Sequence, residues 1–169
     1  MARRHDALIP LSHDHQKALS LAFRLLHPAP PGPVTPTTPE STPPSRRLET
    51  LQFFDEHLAE HFAIEEELLF PALRQAYGEG STERTVVDAL CQDHRAMTSA
   101  RNAIERCIEE SELCHLLESF GVLLQRHIRR EERELFAIFP GMLEPAAVAE
   151  LHARIHERRP PDTPGACKL

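Results

Sequence analysis

Residues 61–70 read HFAIEEELLF, and residues 127–136 read HIRREERELF. Each segment opens on His, carries two Glu four and five positions later, and closes on Leu-Phe. Around them the apolar residues recur by three and four, which is the spacing of one helix face. Leu51, Phe54 and Leu58 lead into the first segment, and Leu68 and Ala72 lead out of it; Leu113, Leu117, Phe120 and Leu124 lead into the second, and Ile138 follows. In both, the His and the first Glu fall where the stripe demands a core residue. These are His61 with Glu65 and His127 with Glu131, and the i,i+4 spacing stacks each pair on one face, one turn apart.

The same period extends to two further helices. His94 belongs to a stripe of Val87, Leu90, Met97, Ile104 and Ile108, and His15 to one of Ala18, Leu19, Ala22 and Leu26. His13 lies about 200° around the helix from His15, so the apolar phase turns only His15 inward. The expected helices run from about Ser12, as N-cap, to Leu26; from Ser45 to Tyr77, ended by Gly78 and Gly80; from Thr82 to Glu109; from Glu112 to Phe139; and, shorter, from Pro145 to Arg158. Of 15 prolines, eight fall between Pro28 and Pro44, where a helix is impossible because proline lacks the amide donor and clashes with the preceding turn. Four long amphipathic helices with mostly short joints predict an all-α, up-down-up-down four-helix bundle with a short extra C-terminal helix. The expected domain covers residues 1–159 with a proline-rich loop insertion at about 28–45, followed by a flexible tail at 160–169.

Composition narrows the classes of function. The 169 residues suffice for one domain with a hydrophobic core. With 19 Lys+Arg against 26 Asp+Glu, the net charge of -7 disfavours a nucleic-acid partner. No apolar run reaches the roughly 18 residues of a membrane span, and MARRHDALIP lacks the apolar core of a signal peptide. The four Cys form no C-x-x-C pair, as expected of reduced thiols. The chain is read as soluble and cytoplasmic, with no membrane or nucleic-acid partner.

The 11 His need an explanation of their own. A single His on an apolar face is ordinarily a hydrogen-bonded core residue. A core-phase Glu is costly unless paired or bound to metal. Four His and two Glu in one bundle interior therefore point to a shared purpose. The halves also repeat: Asp14-His15 precedes the first segment as Asp93-His94 precedes the second. With the third helix turning back near residues 110–112, His94 and His127 each lie about 24 Å from the turn, at one level. Four imidazoles and two carboxylates without a thiolate speak against a Cys-type structural zinc site. If both carboxylates bridge, they supply about eight donors to two octahedral irons that need about twelve. Roughly four places then remain for water, an oxo or hydroxo bridge and a small exogenous molecule.

SHDHQKAL, HFAIEEELLFP, QDHRAM and HIRREERELF, spanning about residues 11–140, resemble the hemerythrin-like family, or HHE cation-binding domain. The resemblance implies a four-helix bundle around two non-haem iron ions. In it His15, His61, His94 and His127 would be terminal ligands, and Glu65 and Glu131 bridges. Oxygen-carrying hemerythrins have a second His one turn along the third helix and an Asp as last ligand, where this chain has Thr98 and Glu131. The resemblance thus favours the wider group that senses oxygen, nitric oxide or iron status, or serves in oxidative and nitrosative stress. The function read from this is binding or sensing of a small diatomic ligand. The alternatives are a di-iron enzyme (an oxidase, or peroxide or nitric oxide handling) and a metal-stapled structural bundle. His57 sits at the stripe's edge, His152 and His156 on an expected solvated face, and Cys91 one turn before His94. Glu66 and Glu132 are expected to face outward or to contact the ligands from behind, and a slight helix rotation would put Glu132 in the place of Glu131.

Overall fold

A computed structural model describes residues 5–28, 42–136, 139–141 and 143–159. Helix α1 (Ile9–Leu26) follows a 3₁₀ turn (Asp6–Leu8); α2 covers 43–76, α3 Thr82–Arg106, α4 110–136 and α5 Pro145–Arg158. No strand occurs among the described residues, and the expected all-α bundle with its extra C-terminal helix is what forms. Residues 29–41 of the proline-rich connection and the tail at 160–169 lie outside the described residues.

Local chemistry sets the boundaries and corrects several of those read from sequence. Ser12 is not an N-cap: Pro10 occupies the first turn of α1, and Ser12 is buried within it, donating to Glu132 Oε1 at 3.2 Å. Thr42 caps α2 by accepting from the Ser45 amide at 3.3 Å, with Pro43 and Pro44 in the first turn, where a missing amide costs nothing. Helix α3 stops at Arg106, because Cys107 is extended and the Glu109 side chain caps α4 by accepting from the Glu112 amide at 3.0 Å. Ile108, expected in the apolar stripe, is consequently 97% exposed in the joint. Gly80, at φ 80, makes the turn between α2 and α3.

Helix α2 is not evenly wound. It widens into π-turns at Phe54–Leu58 and Glu65–Leu69, and α4 does so at Glu132–Phe136. The second π-turn runs up to Pro71, which has no amide to return to the preceding turn. The extra residue shifts the helix phase beyond Glu65. Leu68, Leu69, Phe70 and Leu73 are buried, whereas Ala72, expected inward, is only half-buried.

The apolar side chains form two clusters. One gathers Leu11 from α1, Ile64 and Leu69 from α2, Leu90 from α3, Leu135 from α4 and Ile155 from α5. The other gathers Ala18 from α1, Leu58 and Phe62 from α2, Met97 from α3, and Phe120 and Leu124 from α4. Along every long helix the chain crosses from one cluster to the other, and His15, His61, Glu65, His94, His127 and Glu131 occupy the crossing. Alternating chain direction keeps the crossings together.

Helices α1 and α4 approach closest at Gly121, where a Cβ would stand 3.1 Å from Leu25 Cβ and 3.3 Å from the Ala22 carbonyl oxygen. A larger side chain there must push the two helices apart. The expected outcome for Gly121→Val is a loss of about 1–3 kcal/mol in urea unfolding, with helical content retained. Unchanged stability would show that the helices give way without cost.

Candidate metal centre

The six polar residues of the crossing are each no more than 2% exposed. Buried carboxylates of this kind cost several kcal/mol, on the order of a full desolvation penalty, unless something compensates them. Hydrogen bonds do not: both oxygens of Glu65 and of Glu131, Nε2 of His94 and both ring nitrogens of His127 lack a hydrogen-bond partner. The donors face one another instead.

Glu65 Oε1 lies 2.9 Å from His61 Nε2, and its Oε2 lies 3.1 Å from His94 Nε2. Glu131 Oε2 lies 3.2 Å from His15 Nε2 and 3.6 Å from His127 Nε2. Each carboxylate therefore stands between a histidine of the first repeat and one of the second. Two groups could each hold a metal ion: His15, His61, Glu65 and Glu131, and Glu65, His94 and His127. Glu65 belongs to both. Unpartnered imidazole and carboxylate donors converging in a dry interior fit first-row divalent ions.

The outer ring nitrogens reveal a second arrangement. His94 Nδ1 is 2.7 Å from Glu66 Oε1, and His15 Nδ1 is 2.9 Å from Glu132 Oε1. His61 Nδ1 is 3.5 Å from Asp14 Oδ2, and His127 Nδ1 is 3.8 Å from Asp93 Oδ2. Each aspartate serves the next helix of its own repeat, and each second glutamate serves the other repeat. A carboxylate behind Nδ1 favours the tautomer whose Nε2 lone pair points inward. Asp93 is held by Arg126 and Arg130, each at 2.8 Å, and Asp14 by Arg159 at 2.6 Å.

The closing phenylalanines of the repeats also have a place. Phe70 stacks on His94 (centroids 5.7 Å apart) and Phe136 on His15 (5.1 Å), again across the repeats, while Phe62 covers His94 at 4.0 Å. These rings fix the imidazole planes. The repeat itself was the available signal for the aspartates and the phenylalanines; nothing in the sequence pattern marked the arginines.

The remaining sequence candidates lie elsewhere. His57 is half-buried with its ring against Phe53, outside the cluster. His152 and His156 meet edge-on at 4.2 Å and are half-buried, not on the fully solvated face expected for them. Thr98 is exposed and donates to the His94 carbonyl oxygen at 3.0 Å. Cys91 accepts from Arg74 at 3.4 Å and stays apart from the centre.

Without a metal the cluster holds protons unevenly. Burial opposes charge on His61, but Glu65 and Asp14 outweigh it and raise its pKa to about 10. Burial is also opposed and outweighed at His15, by Glu131 and Glu132, and at His94, by Glu65 and Glu66; both are raised. At His127 burial prevails and lowers the pKa to about 4. Burial works to raise Glu65, yet His61 and His94 hold it well below the usual carboxylate range; burial and the charge of Glu65 push Glu131 up to about 7.

Beside His15, His61 and His127 lies a narrow apolar gap lined by Ala18, Leu58, Phe62, Leu124 and Ile128, too tight for a water-sized sphere. No helix among the described residues is long and apolar enough to cross a membrane. No curated protein and no solved structure matches the chain. The family model described as the hemerythrin HHE cation binding domain matches residues 7–157. Together with the buried His/Glu cluster, this match indicates a metal-binding protein. The chain belongs to the hemerythrin HHE cation-binding family.

Proposed function

We propose that the protein is a non-haem di-iron protein that binds or senses a small diatomic ligand, oxygen or nitric oxide. In this reading His15, His61, His94 and His127 are terminal ligands, and Glu65 and Glu131 are bridges. The observation that carries it is Glu65, whose two oxygens each face a histidine from a different half of the chain. A buried carboxylate so placed is suited to joining two cations. Two ferrous ions would supply electrons and open coordination positions for the ligand. The apolar gap beside three of the imidazoles suits an uncharged diatomic and no bulky organic substrate. Thr98, turned out to solvent, adds no further donor on α3, which supports sensing over oxygen carriage.

Anaerobic loading should give about two irons per chain, with an optical change on adding oxygen or nitric oxide. Uptake near zero, or a spectrum indifferent to both gases, removes the reading. Repeated turnover of either gas with a reductant present would move the assignment to an enzyme.

The bridging roles predict unequal damage. E65A or E131A removes donors from both ions at once, so each should lose more iron than H15A or H94A, with far-ultraviolet dichroism unchanged. If E66A or E132A empties the centre while E65A and E131A retain both irons, the bridges are displaced by one residue.

Loading also has a pH signature. At pH 7 His61, raised to about 10, carries a proton, and Glu131, raised to about 7, is about half protonated; a metal must displace both. His127, lowered to about 4, is already neutral. Loading at pH 7 should release more than one proton per chain into an indicator dye, and affinity should rise with pH from 6 to 9. A release near zero would show that the histidines are neutral in the metal-free chain.

A further inference from the structure

The two aspartates behind the imidazoles are anchored differently. Asp93 is gripped by Arg126 and Arg130, which lie on α4 on either side of His127, so one helix supplies both the imidazole and the arginines. Asp14, its counterpart in the first repeat, receives Arg159 Nη2 at 2.6 Å from just beyond the end of α5. Arg158 reaches Glu60 at 2.9 and 3.1 Å and Glu67 at 2.5 Å, bracketing His61 and Glu65 on α2. The family match ends at residue 157, so both arginines fall outside it.

We propose that Arg158 and Arg159 form a C-terminal clamp that positions Asp14 and, through it, His61. The His15–His61 half of the centre then holds its ion only as firmly as α5 is docked, while the His94–His127 half is independent of α5. The inference rests on the metal-binding reading above. Asp14 is 3% exposed, and Arg159 fixes its Oδ1, leaving Oδ2 turned toward His61 Nδ1. Without that guanidinium the buried carboxylate loses its countercharge and its orientation, and the His61 ring loses the group behind it. Losing such a supporting partner costs about 10- to 100-fold in metal affinity.

The test titrates the full metal-free chain anaerobically with ferrous iron as wild type, R159A, R159K and R126A/R130A, with R159A repeated in H61A and H127A backgrounds. R159A should keep one tight ion and weaken the other by about 10- to 100-fold, with R159K intermediate. R126A/R130A should weaken the opposite ion. In H61A, R159A should change nothing further; in H127A it should weaken the ion that remains. Nitrogen-15 spectra of the metal-free histidines should show R159A moving the His61 signals and leaving those of His94 and His127 in place. Wild-type affinity for both ions in R159A, equal weakening of both, or a persistent effect in H61A overturns the clamp. A wild-type chain that takes up no iron overturns the metal reading instead. The histidine spectra then still decide whether Arg159 positions His61.

Discussion

Two carboxylates without hydrogen-bond partners, buried between two apolar clusters, set the terms for the rest of this molecule. Glu65 and Glu131 are fully enclosed, and the side chains nearest their oxygens are imidazoles. A bundle whose only purpose was stability would fill this level with leucine, since replacing buried ionic groups by packed apolar ones is often neutral or favourable. Leu11 and Leu90 on one side and Ala18 and Met97 on the other show that the neighbouring levels are filled in that way. The polar level is therefore an expense borne by the apolar ones, and it is localised to about one turn of each helix.

The repeat explains how so small a chain builds so complete a set. Each half supplies an Asp-His pair, then a His, two Glu and a Phe, and the supporting contacts run partly within a half and partly across. Glu66 and Phe70 of the first half attend His94 of the second, while Glu132 and Phe136 of the second attend His15 of the first. Neither half would orient its own imidazoles alone. The departures from symmetry are equally informative: Phe62 covers His94, whereas its counterpart position carries Ile128, and the position matching Ile64 holds Arg130.

Much of this was legible in the sequence because helical period and burial are local signals. The phase that turned His15 inward and His13 outward holds, as do the positions of His94 and His127 within their stripes. What escaped was of two kinds. Ser12 resembled an N-cap, but Pro10 had already begun the helix, and Ala72 matched a period that the π-turn before it had shifted. Arg159 acts through a contact across 145 positions, and no periodicity connects it to Asp14. Local rules give the face a residue takes, and only packing gives the neighbour it meets.

The π-turn at Glu65–Leu69 makes this stretch sensitive to length in a way that composition does not reveal. One residue removed there would restore even winding and leave charge and hydrophobicity almost unchanged. It would also turn everything beyond by about 100°, carrying Phe70 away from His94. Exchanging one apolar residue for another in Leu68 or Leu69 would alter only local packing. Tolerance of substitution and tolerance of deletion therefore part company here. Among variants of this chain, a gap in the alignment at 65–69 would signal a changed centre more surely than any change of residue beside it.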